Sequence, residues 1–228
     1  HALQGKTVLV TVGPTHEPID PVRYISNRSS GKMGYAIAAA ALEQGAKVMV
    51  VSGPVSIAAP RGVDIYSVRT AQEMYRETHD HIDGVDIFIA AAAVSDYRPV
   101  KMRAQKIKKD DDSMRIDLVR SPDILASVAQ LEDAPFTVGF AAETEKVREY
   151  ALGKLDKKKL DMIVANRVGE DCGFGYDDNA VEVYWNGGEQ VFGKTSKTEL
   201  ARQVVMLIAE RYALTSTAGV QPRLSLIL

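Results

Sequence analysis

The strongest constraint on the fold is a regular alternation of short apolar runs with longer stretches of helical periodicity. Apolar, largely β-branched runs occupy residues 6–12, 47–51, 64–68, 86–94, 136–140 and 162–165. Helical spacing of apolar residues occupies 34–44, 70–82, 122–131, 145–158 and 196–212. Strands that are buried on both faces of a parallel sheet are apolar throughout rather than alternating. The pattern therefore predicts an α/β protein with a doubly wound, Rossmann-like, mostly parallel sheet and helices on both faces.

Local signals mark the ends of these elements. Gly45 follows the first helix at the position of a C-terminal glycine, and Thr70 precedes the second helix as an N-cap. Near the end of the chain, 180–185 and 190–192 flank Asn186-Gly187, which is a strong hairpin signal. We expect this hairpin to be a small C-terminal element added to the sheet.

The length of 228 residues suits one domain. We expect a core over about 5–212 and an unpatterned, loosely ordered tail over 213–228. Residues 100–119, with KIKKDDD at their centre, are too polar for the core and are predicted to form a flap. Because the chain starts with His1 rather than Met, we expect it to be part of a longer polypeptide.

Composition argues against several classes of partner. A net charge of −2 gives no reason to expect nucleic acid or an anionic membrane as a partner. No apolar run approaches the roughly 18 residues of a membrane span. The single cysteine, Cys172, excludes an internal disulfide and a Cys-rich zinc site, and it is compatible with a reducing cytoplasm. The four histidines have no metal-ligand spacing.

The loop VRYISNRSSGKMG (22–34) leads into the first helix and contains a Gly-Lys pair. A phosphate-binding P-loop would need Gly at 26 and Ser or Thr at 33, where this chain has Ser26 and Met33. Ser29, Ser30 and Gly31 precede the helix start, where free N–H groups and the helix dipole favour an anion. An ordinary serine-capped helix explains these residues equally well.

A dinucleotide-binding oxidoreductase is the alternative that the alternating fold keeps open. Its fingerprint is incomplete here, because the first strand ends in Gly13-Pro14-Thr15 rather than G-x-G-x-x-G. The second strand ends in Ser52-Gly53, without the acidic residue that would hold a ribose hydroxyl. A non-catalytic nucleotide-binding domain is a further alternative.

Ligands of open α/β sheets bind beyond the carboxyl ends of the strands. At one such end, AAAAVSDYRP (90–99), small residues allow a flat ring to approach, and Asp96 could bind a sugar or base. Tight packing of helix against sheet is the competing explanation. Phe140 could stack on a base or fill the core. Asp96 and Glu143 suffice for Mg²⁺ that is carried in by a nucleotide, but they make no stronger metal site.

Two sets of lysines are candidates for binding phosphate. Lys154 and Lys158 share one helix face, where they could hold phosphates or be solvated. The cluster KIKK (106–109) could neutralise charge as a phosphoanhydride breaks, or could be a solvated charge run balanced by Asp110–Asp112.

Seven segments in this order resemble phosphopantothenate–cysteine ligase, the synthetase half of the bifunctional bacterial coenzyme A biosynthesis protein. The resemblance covers about 5–212. The segments are GPTHEPIDPVRYISNRSSGKMG (13–34), AAAVSDYRP (91–99), KIKK (106–109), SPDIL (121–125), VGFAAET (138–144), DMIVANRV (161–168) and GFGYDDNAV (173–181).

The resemblance implies a CTP-dependent ligation of 4′-phosphopantothenate to cysteine through an acyl cytidylate, with Mg²⁺ accompanying CTP. It assigns catalysis to Asn27 and Lys106. The nucleotide-binding positions that it implies are Ala90, Ala91, Ala92, Asp96, Lys106, Pro122, Asp123, Ile124, Leu125, Phe140, Lys154 and Lys158. The substrate and phosphate loop comprises Gly13, Ser29, Ser30 and Gly31. It also implies a homodimer, with a contribution from the NAVEVYW hairpin, and a preceding decarboxylase domain.

Overall fold

The computed structural model describes residues 1–108, 113–167 and 178–218, which form twelve strands and five helices. The strands are β1 (Thr7–Val12), β2 (His16–Pro18), β3 (Tyr24–Ser26), β4 (Lys47–Ser52), β5 (Asp64–Ser67), β6 (Ile87–Ala90), β7 (Tyr97–Pro99), β8 (Leu118–Arg120), β9 (Phe136–Glu143), β10 (Met162–Arg167), β11 (Asp178–Trp185) and β12 (Gly188–Ser196). The helices are α1 (Lys32–Glu43), α2 (Ala71–Asp80), α3 (Ile124–Ala129), α4 (Val147–Lys158) and α5 (Lys197–Ala218).

Eight strands form one sheet in the order β12-β11-β10-β9-β6-β1-β4-β5. The strands from β5 to β10 in this order are parallel to their neighbours, and the hairpin β11–β12 joins β10 antiparallel. The predicted α/β class is therefore confirmed. The predicted C-terminal hairpin is β11–β12, and it extends the main sheet beyond β10. The segment NAVEVYW lies in β11, which is paired on both sides, so the free edge belongs to β12.

Alternate residues of each central strand face opposite layers of helices. Val8 and Val10 of β1 pack with α1 and α5, whereas Leu9 points to the layer that contains α2 and α3. Helix α4 covers β9 and β10 on that second side. This two-sided burial explains why the strands are apolar throughout.

The order of the strands reverses next to β1. The chain proceeds from β1 outward through β4 and β5, and it then returns to the other side of β1 with β6, β9 and β10. Connections leaving β1 and β6 at their carboxyl ends therefore diverge and leave a crevice between them, as doubly wound sheets do at their ligand sites.

Several boundaries differ from the sequence prediction in ways that shape this crevice. The strand predicted over 86–94 ends as β6 at Ala90. The next residues keep only isolated pairing with the end of β1, through a bridge between Ala93 and Pro14, and they line the crevice. Helix α3 starts only at Ile124, because the Asp123 carboxylate caps it by accepting the Ala126 N–H at 3.1 Å. Helix α5 continues to Ala218, into the segment expected as a tail.

Two short ribbons lie outside the main sheet, β2–β3 and β7–β8. The segment predicted as a flap over 100–119 connects β7 to β8 and includes the first two residues of β8, and its other described residues, 100–108 and 113–117, have irregular backbone. Lys109, Asp110–Asp112, Cys172 and the motif at 173–177 lie outside the described residues. None of the helices in the described part of the chain combines the length and apolar character of a membrane span.

Candidate active site

Two adjoining cavities of about 560 and 530 Å³ open at the carboxyl ends of β6 and β9. They share a boundary formed by Ala92, Val94, Phe140 and Lys154, which line both. A ligand in one cavity therefore meets a ligand in the other at these residues.

The first cavity contains ten of the twelve residues predicted to bind a nucleotide. They are Ala90, Ala92, Asp96, Pro122, Asp123, Ile124, Leu125, Phe140, Lys154 and Lys158. Four segments that are distant in sequence supply them: the end of β6 with the residues that follow it, the middle of β9, the start of α3, and α4. Of the other two, Ala91 lines the second cavity, and Lys106 lines neither.

Both lysines of the first cavity are paired with carboxylates. Lys158 Nζ lies 2.8 Å from Asp123 Oδ2, and Lys154 Nζ lies 2.6 Å from Glu143 Oε1. The Lys158 side chain is the less exposed of the two lysines, at 27% against 46%. An anionic ligand would compete with these carboxylates for the ammonium groups. The net gain in binding free energy is therefore smaller than that of an ion pair with a free lysine.

Polar groups that the sequence did not single out also line the first cavity. Thr11 from β1 and Arg120 from β8 contribute to its walls, and so do Ser95 and Ser121. The hydroxyl oxygens of Ser95 and Ser121 are buried and have no hydrogen-bond partner among the described residues. Buried hydroxyls are usually satisfied, so these two are available to a ligand or to water.

The second cavity is built around the loop that precedes α1. Asn27, Ser29, Ser30 and Gly31 line it, together with Arg28 and the first residues of the helix. The Asn27 side-chain amide donates to the backbone carbonyl of Val94 at 2.9 Å. Because Val94 lines both cavities, this bond holds Asn27 close to their junction.

The start of α1 differs from the serine-capped helix that the sequence left open. The N-cap is Gly31 in the left-handed conformation, with φ of 76°, and it provides no side-chain cap. Ser29 Oγ accepts the Gly31 N–H at 3.3 Å, and Ser30 Oγ accepts the Lys32 N–H at 3.5 Å. A Cβ on residue 31 would lie 2.7 Å from Val55 Cγ1, so glycine is required both for its φ and for space.

At its far end the second cavity is lined by Asn166, Asn179 and Lys197. Asn166 lies at the carboxyl end of β10, where the strand-end rule places ligand-binding residues. Asn179 and Lys197 were not predicted. Asn179, in β11, lies within the segment GFGYDDNAV (173–181) but was not singled out there, and Lys197, at the start of α5, lies outside all seven segments.

Gly13 and Lys106 lie outside the cavity walls. Gly13 has a φ of 79°, and its carbonyl accepts the Ala93 N–H at 2.9 Å, so it ties the end of β1 to the segment after β6. Lys106 is exposed on the predicted flap. Within the residues that the structure describes, no three His, Cys, Asp or Glu side chains come together as a metal site would require.

Comparison with known proteins identifies the family. The family model described as "DNA/pantothenate metabolism flavoprotein C-terminal domain" matches residues 3–212. The coenzyme A biosynthesis bifunctional protein CoaBC of Vibrio vulnificus (strain CMCP6) is 53% identical over 210 residues, which is 90% of this chain and 52% of that protein. The CoaBC protein of Escherichia coli (strain K12) is 46% identical over 215 residues, which is 92% of this chain and 53% of that protein. The chain thus spans about half the length of these relatives.

Solved structures agree with the sequence relatives. The crystal structure of the C-terminal domain of CoaBC superposes with a TM-score of 0.80 at 40% identity, over 94% of this chain and 98% of that one. A Cab2 mutant in complex with phosphopantothenate-cysteine has the same fold, with a TM-score of 0.75 at 17% identity, over 93% of this chain and 89% of that one. The resemblance carried by the seven sequence segments is confirmed, and the chain belongs to the DNA/pantothenate metabolism flavoprotein C-terminal domain family.

Proposed function

We propose that this chain joins 4′-phosphopantothenate to L-cysteine at the expense of CTP, as the ligase half of a cytoplasmic coenzyme A biosynthesis protein. The observation that carries the proposal is the pair of adjoining cavities that meet at Phe140 and Lys154, with Asn27 held beside the junction. A reaction between a nucleotide and an acyl substrate needs two such sites in contact. The relatives are named coenzyme A biosynthesis proteins, and a protein of the same fold is bound to phosphopantothenate-cysteine.

The first cavity is assigned to CTP. Small side chains at Ala90 and Ala92 leave room for a flat base or sugar, and Phe140 offers an aromatic face. Lys154 and Lys158 supply positive charge for the triphosphate from one face of α4. Mg²⁺ would come with CTP. Asp96 and Asp123 are the carboxylates within this cavity, and Mg²⁺ commonly binds one or two carboxylates plus substrate phosphates.

The second cavity is assigned to 4′-phosphopantothenate. A carboxylate oxygen of 4′-phosphopantothenate attacks the α-phosphorus of CTP. The bond between the α-phosphorus and the oxygen that bridges it to the β-phosphate then breaks, and pyrophosphate leaves. The cysteine amine then attacks the acyl carbon of the cytidylate. CMP leaves with the electrons of the C–O bond, the amine loses a proton, and an amide remains. Such a reaction depends on positioned cations and N–H donors rather than on a covalent protein nucleophile.

Two residues are assigned to different steps. Lys106 acts in forming the acyl cytidylate, where charge develops on the pyrophosphate leaving group. Its side chain is exposed and lines neither cavity, so the long lysine side chain must swing toward the phosphates during turnover. Asn27 lies at the junction and acts on the acyl cytidylate once that intermediate has formed.

The proposal includes two partners. A decarboxylase domain is fused to this chain in the complete protein, consistent with relatives that are bifunctional and about twice as long. A second copy of the chain forms a homodimer. In the hairpin the free edge is β12, so β12 rather than the doubly paired β11 is the strand able to add backbone pairing.

Pyrophosphate release from CTP and 4′-phosphopantothenate, with Mg²⁺ present and cysteine absent, tests the proposal. We expect release by the wild-type chain, and its absence with both CTP and ATP would refute the ligase assignment. An oxidoreductase or a non-catalytic binding domain would release none.

The matched variants separate the two steps. Lys106→Gln should abolish pyrophosphate release, whereas Lys101→Gln, an exposed lysine on the same segment, should leave it unchanged. Asn27→Asp should still release pyrophosphate but accumulate acyl cytidylate when cysteine is added, which chromatography of quenched reactions would detect. Wild-type turnover by both Lys106→Gln and Asn27→Asp would show that the residue assignment is wrong.

A further inference from the structure

A buried carboxylate connects the turn between β2 and β3 to the predicted flap. Asp20 is 1% exposed. Its Oδ1 accepts the backbone N–H groups of Val22 at 2.8 Å and Arg23 at 2.9 Å, which closes the turn. Its Oδ2 accepts the backbone N–H of Ile107 at 3.2 Å and Arg23 Nη1 at 3.3 Å. One side chain therefore shapes the turn and holds a residue that lies 87 positions away.

The flap backbone is tied to this turn at further points. Arg23 Nη2 donates to the carbonyl of Ile107 at 3.4 Å, so both backbone polar groups of Ile107 are bound. The Arg103 N–H donates to the carbonyl of Ile19 at 2.9 Å. These ties fall on either side of Lys106, whose own side chain is exposed.

The ribbon that carries this turn is itself firmly anchored. The buried Glu17 carboxylate accepts the Ala71 N–H at the start of α2 at 2.8 Å, and the His16 N–H donates to the Arg69 carbonyl at 2.7 Å. The strand β3 ends at Ser26, directly before Asn27. One rigid ribbon thus supports Asn27 and provides the attachment point for the segment that carries Lys106.

We propose that Asp20 is a positioning residue for the first half-reaction, because it holds the flap at Ile107 and so restricts where Lys106 can reach. This inference rests on the proposed function, in which Lys106 acts on the pyrophosphate leaving group. Asp20 lines neither of the two cavities of the site, so it is not placed to contact the reacting atoms. It acts by reducing the conformations of the neighbouring lysine, and misplacement of a catalytic group by about 1 Å can lower a rate by about 10²-fold.

The charge state of Asp20 suits this role. Desolvation of the carboxylate opposes ionisation, but the hydrogen bonds from Val22, Ile107 and Arg23 outweigh it and lower the pKa of Asp20 below its ordinary value. The acceptor is therefore charged at neutral pH, which strengthens its bonds to both segments.

The substitution Asp20→Asn separates the two tasks of the side chain. Asparagine keeps one carbonyl oxygen, which can still accept the N–H groups of Val22 and Arg23 as Asx turns do. Its amide replaces Oδ2 with a donor, which cannot accept from Ile107 and which faces the Arg23 guanidinium. The turn is retained and the bond from residue 20 to the Ile107 N–H is lost, while the bond between Arg103 and Ile19 remains. Asp117→Asn is the matched control, because Asp117 is an exposed flap carboxylate paired locally with Arg115.

Steady-state pyrophosphate release and limited trypsin digestion test the inference. For Asp20→Asn we expect kcat to fall by about 10- to 100-fold with little change in KM for CTP, because the first cavity is untouched. We also expect faster cleavage after Lys106, because Ile107 loses its bond to residue 20 and the segment is held at fewer points. Asp117→Asn should change neither. A kcat within about twofold of wild type, or unchanged cleavage of the flap, would refute the role of Asp20.

A second variant keeps the test decisive if Asp20→Asn melts well below the wild type. Ile107→Pro removes the donor on the flap and leaves Asp20 and the turn intact. It should reproduce the loss of kcat, and wild-type kcat in this variant would overturn the inference. Failure of the proposed function is distinguishable, because the wild-type chain would then release no pyrophosphate while the trypsin result could still stand.

Discussion

Lys158→Gln gives the sharpest test of the first cavity as the CTP site. Lys158 is the less exposed of the two cavity lysines, and its ammonium lies 2.8 Å from Asp123 Oδ2 before any nucleotide binds. Asp123 is fixed in place because it also caps α3 through the Ala126 N–H. Binding of a phosphate therefore replaces or shares an existing ion pair rather than neutralising a free cation.

The expected magnitude is the difference between two interactions. A hydrogen bond from the charged Lys158 ammonium to a phosphate of CTP contributes about 1.5–3 kcal/mol to binding. CTP weakens the ion pair between Lys158 and Asp123, which contributes about 0–1 kcal/mol. The net loss on removing the ammonium is thus about 1–2 kcal/mol. That corresponds to a roughly 5- to 30-fold fall in kcat/KM for CTP.

The assay is initial-rate pyrophosphate release at varied CTP and saturating 4′-phosphopantothenate. Lys157→Gln is the matched control, since Lys157 is exposed, belongs to the same helix and lines neither cavity. Unchanged kcat/KM in Lys158→Gln would refute the assignment of the triphosphate to this face of α4. An equal fall in Lys157→Gln would show that the helix attracts CTP only through its overall charge.

Further predictions concern stability. Tyr212→Phe removes a hydroxyl that donates to Asp86 Oδ1 at 2.8 Å, and the Asp86 side chain is only one quarter exposed. We therefore expect the free energy of unfolding to fall by about 1–2 kcal/mol, which calorimetry would detect as a fall in Tm of about 2–8 °C. Desolvation opposes ionisation of Asp86, but its hydrogen bonds lower its pKa below 3.8. The stabilisation is therefore complete above pH 3.8 and disappears as pH falls through the lower folded pKa, so an effect of Tyr212→Phe that persists in acid would contradict this account. Gly31→Ala places a Cβ 2.7 Å from Val55 and forces a left-handed alanine, so urea denaturation should show a loss of about 2–4 kcal/mol. Gly153→Ala is its control, because nothing lies within 4 Å of that Cβ and a helical alanine should stabilise by up to about 1 kcal/mol.

Local features were predictable where local chemistry decides them. The capping box of α2, with Thr70 and Glu73 bonded reciprocally, follows from the Thr-x-x-Glu spacing, and Gly45 has the positive φ expected after α1. The extent of β6 was overpredicted, since regular pairing stops at Ala90 and the alanines that follow keep only an isolated bridge to Pro14 while they line the cavities.

The site residues also divide into those that local sequence predicts and those that only the tertiary structure shows. Asn27, Phe140 and the lysines of α4 lie in segments with recognisable motifs at strand ends or on one helix face, and the structure brings them to the cavities. Lys197 could not be found this way, because it lies in no such motif and reaches the second cavity only once the hairpin has paired with β10. Asn179 lies in one of the seven segments, but only the pairing of that hairpin shows that it faces the cavity. The sequence pattern could not predict the contact of Asp20 with Ile107 either, because that contact joins two irregular segments that are distant in sequence.

The sequence by itself determined the α/β class, most of the elements, and the strand ends at which a ligand would bind. These depend on hydrophobic periodicity and turn chemistry, which act over a few residues. Only the tertiary structure decided that β1 lies between β4 and β6, that the final hairpin completes the sheet, and that Lys154 and Lys158 pair with carboxylates of distant segments. Those outcomes depend on which distant segments pair, and the free energy of that choice comes from packing and hydrogen bonds that form only when the whole chain has folded.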